Sequence, residues 1–141
     1  MVKTGSFVII VLLLASSCGS NGSPGICGQR SGTYRMDYTE RSGTCGAIPE
    51  QVGTLDAQPT APPAPCTSGE IRYSIDNCEV TNINIVCPED AVATGATSTT
   101  NGKYTWNADG SRGVGEMSIL IKDSSGLALC QSSYNVGATR L

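Results

Sequence analysis

Histidine is absent from all 141 residues of the sequence. Because histidine is the commonest general base near neutral pH, its absence removes Ser/His/Asp and Cys/His catalysis and nearly all zinc hydrolases. Neighbouring carboxylates, such as Asp37 with Glu40, are the remaining acid–base candidates, and they are typical of solvated strand edges. We therefore expect no enzymatic activity and assign no catalytic residue.

Basic clusters and metal-binding motifs are missing as well. Nine Lys and Arg residues stand against twelve Asp and Glu, and the mature chain has no run of basic residues. Nucleic-acid binding therefore lacks its electrostatic basis. The cysteines form no CxxC pair, so we predict no metal site, and nothing in the sequence indicates a cofactor.

Aromatic side chains are scarce, with one Trp, one Phe and five Tyr. A core with so few large side chains usually needs covalent cross-links in a domain of this size. The seven cysteines can provide it in an oxidising compartment, where each disulfide contributes about 2–4 kcal/mol.

Long hydrophobic runs are limited to one short segment, residues 7–15. As a helix it would be about 14 Å long, roughly half of the ~30 Å hydrocarbon core of a bilayer. A short apolar run that follows a basic start at Lys3 and precedes small residues is typical of a secretory signal peptide.

The apolar run ends in Leu14-Ala15-Ser16-Ser17-Cys18. This stretch resembles the lipobox of bacterial lipoproteins. The resemblance implies a signal peptide over 1–17 and a diacylglyceryl group, with palmitate, on Cys18. Gly19 after the cysteine implies the outer membrane of the cell envelope. Simple secretion after cleavage by an ordinary signal peptidase is the alternative.

The odd number of cysteines agrees with a lipidated Cys18, because an exported protein with seven must explain the leftover thiol. Six cysteines then remain for three disulfides, with a connectivity that the sequence leaves open. If Cys78 and Cys87 end one strand, they lie about 30 Å apart and must bond to other partners. The six predicted disulfide cysteines are Cys27, Cys45, Cys66, Cys78, Cys87 and Cys130.

The mature chain divides into a lipidated tether over 18–31, flexible from its Gly/Ser content, and a single domain over 32–141. Apolar residues alternate along "TYRMDYTE" and "GEMSILIKD", a period of two that indicates strands buried on one face. Residues 54–65 carry four of the seven prolines and predict an extended loop.

These patterns predict an all-β domain, an antiparallel meander of six to eight strands that closes into a small disulfide-stapled barrel. A β-sandwich is the alternative. The first strand, "SGTY", and the last, "SYNVGATRL", loosely resemble the ends of lipocalin-like barrels. The whole pattern resembles small cysteine-rich outer-membrane lipoproteins, a resemblance that implies no specific activity.

We expect a membrane-anchored envelope protein whose domain binds an envelope protein or a small apolar ligand. Trp106, Tyr34 and Tyr38 are the candidate contact residues, because aromatic side chains dominate such contacts. The competing interpretation is that they fill the core. The alternative function is a protease-inhibitor-like or protective envelope factor that presents the Pro-rich loop locked by Cys66.

Overall fold

Seven β-strands and no helix make up the part of the chain that the structure describes, so the all-β prediction is confirmed. The computed structural model describes residues 31–55, 61–74 and 77–141. Within those ranges no helix is long and apolar enough to span a bilayer. The predicted signal peptide, Cys18 and Cys27 lie outside them. The strands are β1 (Gly32–Gly43), β2 (Gln51–Leu55), β3 (Ser68–Ser74), β4 (Glu79–Pro88), β5 (Thr97–Trp106), β6 (Arg112–Lys122) and β7 (Ala128–Arg140).

The alternation seen in the sequence places the strands' apolar side chains on one face. On β1, Tyr34 and Met36 are buried, whereas Thr33 and Arg35 are exposed. The same period of two buries Met117, Ile119 and Ile121 on β6. β2 continues to Leu55, two residues into the segment predicted as loop. Its backbone can pair there because the first proline, Pro59, comes later.

All strand pairs are antiparallel, and the sheet order is β2-β1-β7-β6-β5-β4-β3. Strands β3 to β7 form a continuous meander, and β1 adds to the far side of β7. The sheet curls into a half barrel, and no backbone pairing in the described residues joins its edges, β2 and β3. The chain from 56 to 67 connects these two edge strands.

The curl brings strands that are not neighbours in the sheet into contact. One cluster joins Tyr34 and Met36 of β1 to Leu55 of β2, Val80 of β4 and Trp106 of β5. The rings of Tyr34 and Trp106 meet edge to face, with centroids 5.2 Å apart. The second cluster lies over β6 and β7 and includes the loop residues Cys45 and Ile48.

Strand direction defines two ends of the sheet. β1 begins at the proximal end, where β3 and β7 end, where β4 begins and where the turn at 107–111 lies. The distal end carries the loops 44–50, 89–96 and 123–127. The chain therefore enters the sheet at the proximal end.

Two disulfides staple the distal end. Cys45 bonds to Cys130, and Cys66 bonds to Cys87, with Cα–Cα distances of 5.0 and 3.9 Å. Cys78, at the proximal end, is also disulfide-bonded. Disulfide stapling is therefore confirmed, as is the prediction that Cys78 and Cys87 bond to different partners.

A β-bulge changes the phase of β4. The register against β5 shifts between Asn82 and Ile85, and Asn84 has a positive φ of 49°. Val80, Asn82 and Ile85 are therefore buried, and Ile83 is on the other face. The period of two in "TNINIVC" predicts from the sequence that Ile83 and Ile85 share a face. That prediction is wrong, because a bulge inserts one residue into the alternation.

Candidate functional site

The structure brings two of the three predicted contact aromatics together inside the domain. Tyr34 is fully buried and Trp106 is 5% exposed. The Tyr34 hydroxyl donates a hydrogen bond of 2.7 Å to the carbonyl oxygen of Gly110. This bond fixes the ring against the proximal turn. Both side chains thus contribute to the core, and contact with a ligand through them stays a prediction.

Tyr38 lies apart from that pair and packs against both clusters. Its hydroxyl lies 3.5 Å from Gln51 Oε1. Burial raises the pKa of Tyr38 to about 12, so the phenol is protonated at neutral pH. The ring therefore acts as a neutral amphipathic filler between the clusters.

The interior holds a small cavity of about 20 Å³ beside the Cys66–Cys87 disulfide, close to the volume that one water occupies. The Pro63, Ile71 and Ile85 side chains contribute its apolar wall. Asn82 Oδ1 is buried in the same wall and has no hydrogen-bond partner within the described chain. The cavity can take one water-sized polar molecule.

The larger opening is a groove of about 350 Å³ on the outer face of the sheet, opposite the core. It crosses β4, β5, β6 and β7. Met117 and Tyr134 belong to the groove's lining although their side chains are buried in the β6–β7 cluster, so main chain forms the floor there. The outer groove is lined by Arg41, Thr81, Asn82, Ile83, Asn101, Gly102, Lys103, Glu116, Met117, Ser118, Ser133 and Tyr134.

Strand register explains the two walls of the outer groove. Thr81, Lys103 and Glu116 are opposite one another on β4, β5 and β6, and they form one wall. Asn101, Ser118 and Ser133 form the other, on β5, β6 and β7. The first wall carries long charged side chains and the second carries short polar ones.

The charged groups of the groove are already paired. Arg41 Nη1 contacts Glu116 Oε1, and Lys103 Nζ lies 3.0 Å from Glu79 Oε2. These ion pairs are largely exposed, so each adds little to stability. Their effect on the groove is to neutralise its net charge while they keep their remaining hydrogen-bonding atoms accessible.

None of the groove residues was predicted from the sequence as a site residue. Ser118, Ser133 and Asn101 are polar residues on strands that were predicted from their apolar residues. Their alternation with buried residues was visible, but their alignment depends on the register of four strands. That register was not available from the sequence.

A buried carboxylate lies at the distal end. Glu89 is 6% exposed, and its Oε1 accepts a hydrogen bond of 2.9 Å from the Ser98 hydroxyl. Burial raises the pKa of Glu89, and the Ser98 hydrogen bond opposes that effect only in part. Its backbone N–H bonds to Ala96 across the same loop, so Glu89 organises loop 89–96.

Within the described ranges, no three His, Cys, Asp or Glu side chains are grouped closely enough to hold a metal ion. Comparisons with family models, curated proteins and solved structures find no match to this chain.

Proposed function

We propose that this protein is a lipid-anchored lipoprotein of the bacterial outer membrane whose domain is a binding module. Acylated Cys18 is the anchor, and two or more acyl chains there give stable attachment to the bilayer. The domain binds an envelope component through the outer groove. The observation that carries the binding role is this open groove of about 350 Å³, a volume within the range of ligand sites.

Cysteine pairing supports the anchor. Four described cysteines pair with each other, and Cys78 is disulfide-bonded as well. We propose Cys27 as the partner of Cys78, which leaves the thiol of Cys18 for the lipid. The odd cysteine count is then explained by one modification and three disulfides.

The anchor is tested by labelling cells with a radioactive fatty acid. The wild-type protein should carry label and partition into detergent, whereas Cys18→Ser should be unlabelled and released. The mass of the purified wild-type protein should increase by six hydrogens on reduction, for three disulfides. An unlabelled wild-type protein, or a disulfide to Cys18, would contradict the proposal.

The binding role is tested with a variant that fills the groove. Ser118→Trp adds a large side chain to one wall of the outer groove, and Thr97→Trp adds the same group elsewhere on the outer face. Wild type and Thr97→Trp should capture the same envelope component, and Ser118→Trp should not. Equal capture by all three proteins would show that the groove is not the binding site.

The inhibitor alternative has one supporting observation. The Cys66–Cys87 disulfide and the buried Pro63 fix the C-terminal part of the Pro-rich segment to β4. An inhibitor with a fixed loop should block a protease without being cleaved. Cleavage within 54–65 by every protease tested would remove this alternative and leave the binding module unaffected.

A further inference from the structure

We infer that the ligand of the outer groove is an uncharged oligosaccharide chain. This inference deepens the proposed function and rests on it. It follows from the shape of the groove, from the hydrogen-bonding groups in its walls and from the pairing of its charges.

The shape of the groove suits an elongated ligand. It crosses four adjacent strands, β4 to β7, which at a strand spacing of about 4.8 Å span roughly 14 Å from the first axis to the last. The floor at its centre is main chain, because a Cβ at Gly102 would point away from the groove, toward the ring of Tyr104 on the inner face. A chain of several sugar rings lying across the strands fits this opening.

The walls can both donate and accept hydrogen bonds. Hydroxyl groups of Thr81, Ser118 and Ser133 each provide a donor and acceptor lone pairs. Asn101 Oδ1 accepts a hydrogen bond of 2.9 Å from the backbone N–H of Asn84, which orients its amide N–H donors. Sugar hydroxyls present the same mixture of donors and acceptors, so the match does not require a charged group.

The electrostatics favour a neutral ligand over an anionic one. An anion drawn to Arg41 would have to compete with Glu116, and one drawn to Lys103 would have to compete with Glu79. Each cation is offset by a carboxylate at contact distance, so the groove has no excess of positive charge.

Two other ligand classes fit the groove less well. A fatty ligand would find one apolar side chain at the opening, Ile83, between polar walls. A peptide strand binds well where it joins a free sheet edge, but the groove lies over central strands whose backbone groups are already paired. Recognition of a sugar through side-chain hydrogen bonds needs neither an apolar surface nor a free sheet edge.

The test uses the full-length protein in detergent micelles and two uncharged probes, the β-1,4-linked tetramer of N-acetylglucosamine and maltotetraose. Titration calorimetry should detect binding of at least one probe to wild type and to Thr97→Trp. Ser118→Trp should weaken that binding by about tenfold or more. Because the ligand is neutral, raising the salt concentration should leave the affinity of wild type unchanged.

Amide NMR spectra locate the site. Probe should shift signals of Asn101, Gly102 and Ser118 and leave Ser124, at the distal turn, unshifted. Binding of neither probe, equal binding by Ser118→Trp, or tighter binding of a sulfated tetrasaccharide would each overturn the inference. If these tests fail while Ser118→Trp still loses its captured envelope component, the binding module stands and the ligand is of another class.

Discussion

At the scale of single residues, glycines on β6 determine how closely the aromatic side chains of β5 approach the sheet. Trp106 is paired with Gly113, and Tyr104 is paired with Gly115. A Cβ atom at Gly113 would lie 2.9 Å from Trp106 Cδ2, and one at Gly115 would lie 2.7 Å from Tyr104 Cδ1. The rings therefore occupy the space above the glycines.

We expect Gly115→Ala to destabilise the fold by about 1–3 kcal/mol, the usual cost of overpacking. The new methyl group would also meet the carbonyl oxygen of Lys103, which is backbone and cannot turn aside. Gly137→Ala on β7 is the matched control, because nothing lies within 4 Å of its Cβ position. It should change stability by less than about 0.5 kcal/mol in urea unfolding. Equal effects of the two substitutions would contradict the packing argument.

Glu89 makes stability depend on pH in the opposite direction to most carboxylates. Its folded-state pKa is raised by burial, so the folded protein binds the proton more tightly than the unfolded chain does. The contribution of Glu89 to the free energy of unfolding is fully present below the pKa that Glu89 has in the unfolded chain. This contribution is lost as the pH rises through the pKa of Glu89 in the folded protein.

The measurement is the free energy of unfolding of wild type and Glu89→Gln from pH 4 to pH 7. Glutamine keeps the hydrogen bond with Ser98 and cannot ionise. The stability of wild type relative to Glu89→Gln should therefore fall as the pH rises from the ordinary Glu pKa upward. Glu116→Gln, at an exposed position, provides the comparison. A relative stability that rises with pH would show that Glu89 is not buried as described.

At the scale of elements, the two distal disulfides close loops of different length. Cys45 and Cys130 are 85 residues apart in sequence, and Cys66 and Cys87 are 21 apart. Since the loss of chain entropy in the unfolded state grows with the enclosed loop, the first bond should stabilise more than the second, by about 4.6 against 3.4 kcal/mol.

Paired alanine substitutions test this difference. We expect Cys45→Ala with Cys130→Ala to lower the free energy of unfolding by about 1 kcal/mol more than Cys66→Ala with Cys87→Ala. Both pairs retain the other disulfides and are measured in denaturant without reductant. If removal of the Cys66–Cys87 disulfide costs more free energy of unfolding, the packing of these two cysteines outweighs the difference in loop entropy.

Local sequence patterns predicted where the strands lie in the chain better than they predicted which strands and cysteines pair. The burial of Tyr34 and Met36, and of Ile119 and Ile121, follows a period of two along the chain. Periodicity alone was therefore sufficient to predict which residues of these strands are buried. The bulge at Asn84 interrupts that periodicity without a change in composition, and it was missed. The disulfide between Cys45 and Cys130 depends on β1 lying beside β7, which no local pattern determines.

At the scale of the whole molecule, the curl of the sheet separates two surfaces with different roles. The inner face holds Tyr34, Trp106 and the other large side chains, and it stabilises the domain. The outer face carries the groove, whose walls exist only because four strands align Asn101, Ser118 and Ser133. Sequence could predict the core candidates from residue type, but the groove needed the register.

Chain direction also orients the domain on the proposed anchor. The first described strand begins at Gly32, at the proximal end, and Cys78 is disulfide-bonded at that same end. With the proposed Cys27–Cys78 disulfide, nine residues separate the anchor from that end, and a Gly/Ser coil of this length would span roughly 17 Å. β6, with 11 residues, separates the two ends by about 36 Å.

We therefore predict that the proximal end faces the bilayer and the distal turn faces away from it. A small fluorescent amino acid is placed at Ala108, in the proximal turn, or at Ser124, in the distal turn, both exposed. With the lipidated protein in vesicles that contain a spin-labelled headgroup lipid, fluorescence at Ala108 should be quenched more strongly than at Ser124. Cys18→Ser should show no quenching at either position. Stronger quenching at Ser124 would mean that the domain lies inverted on its anchor, with the distal disulfides toward the membrane.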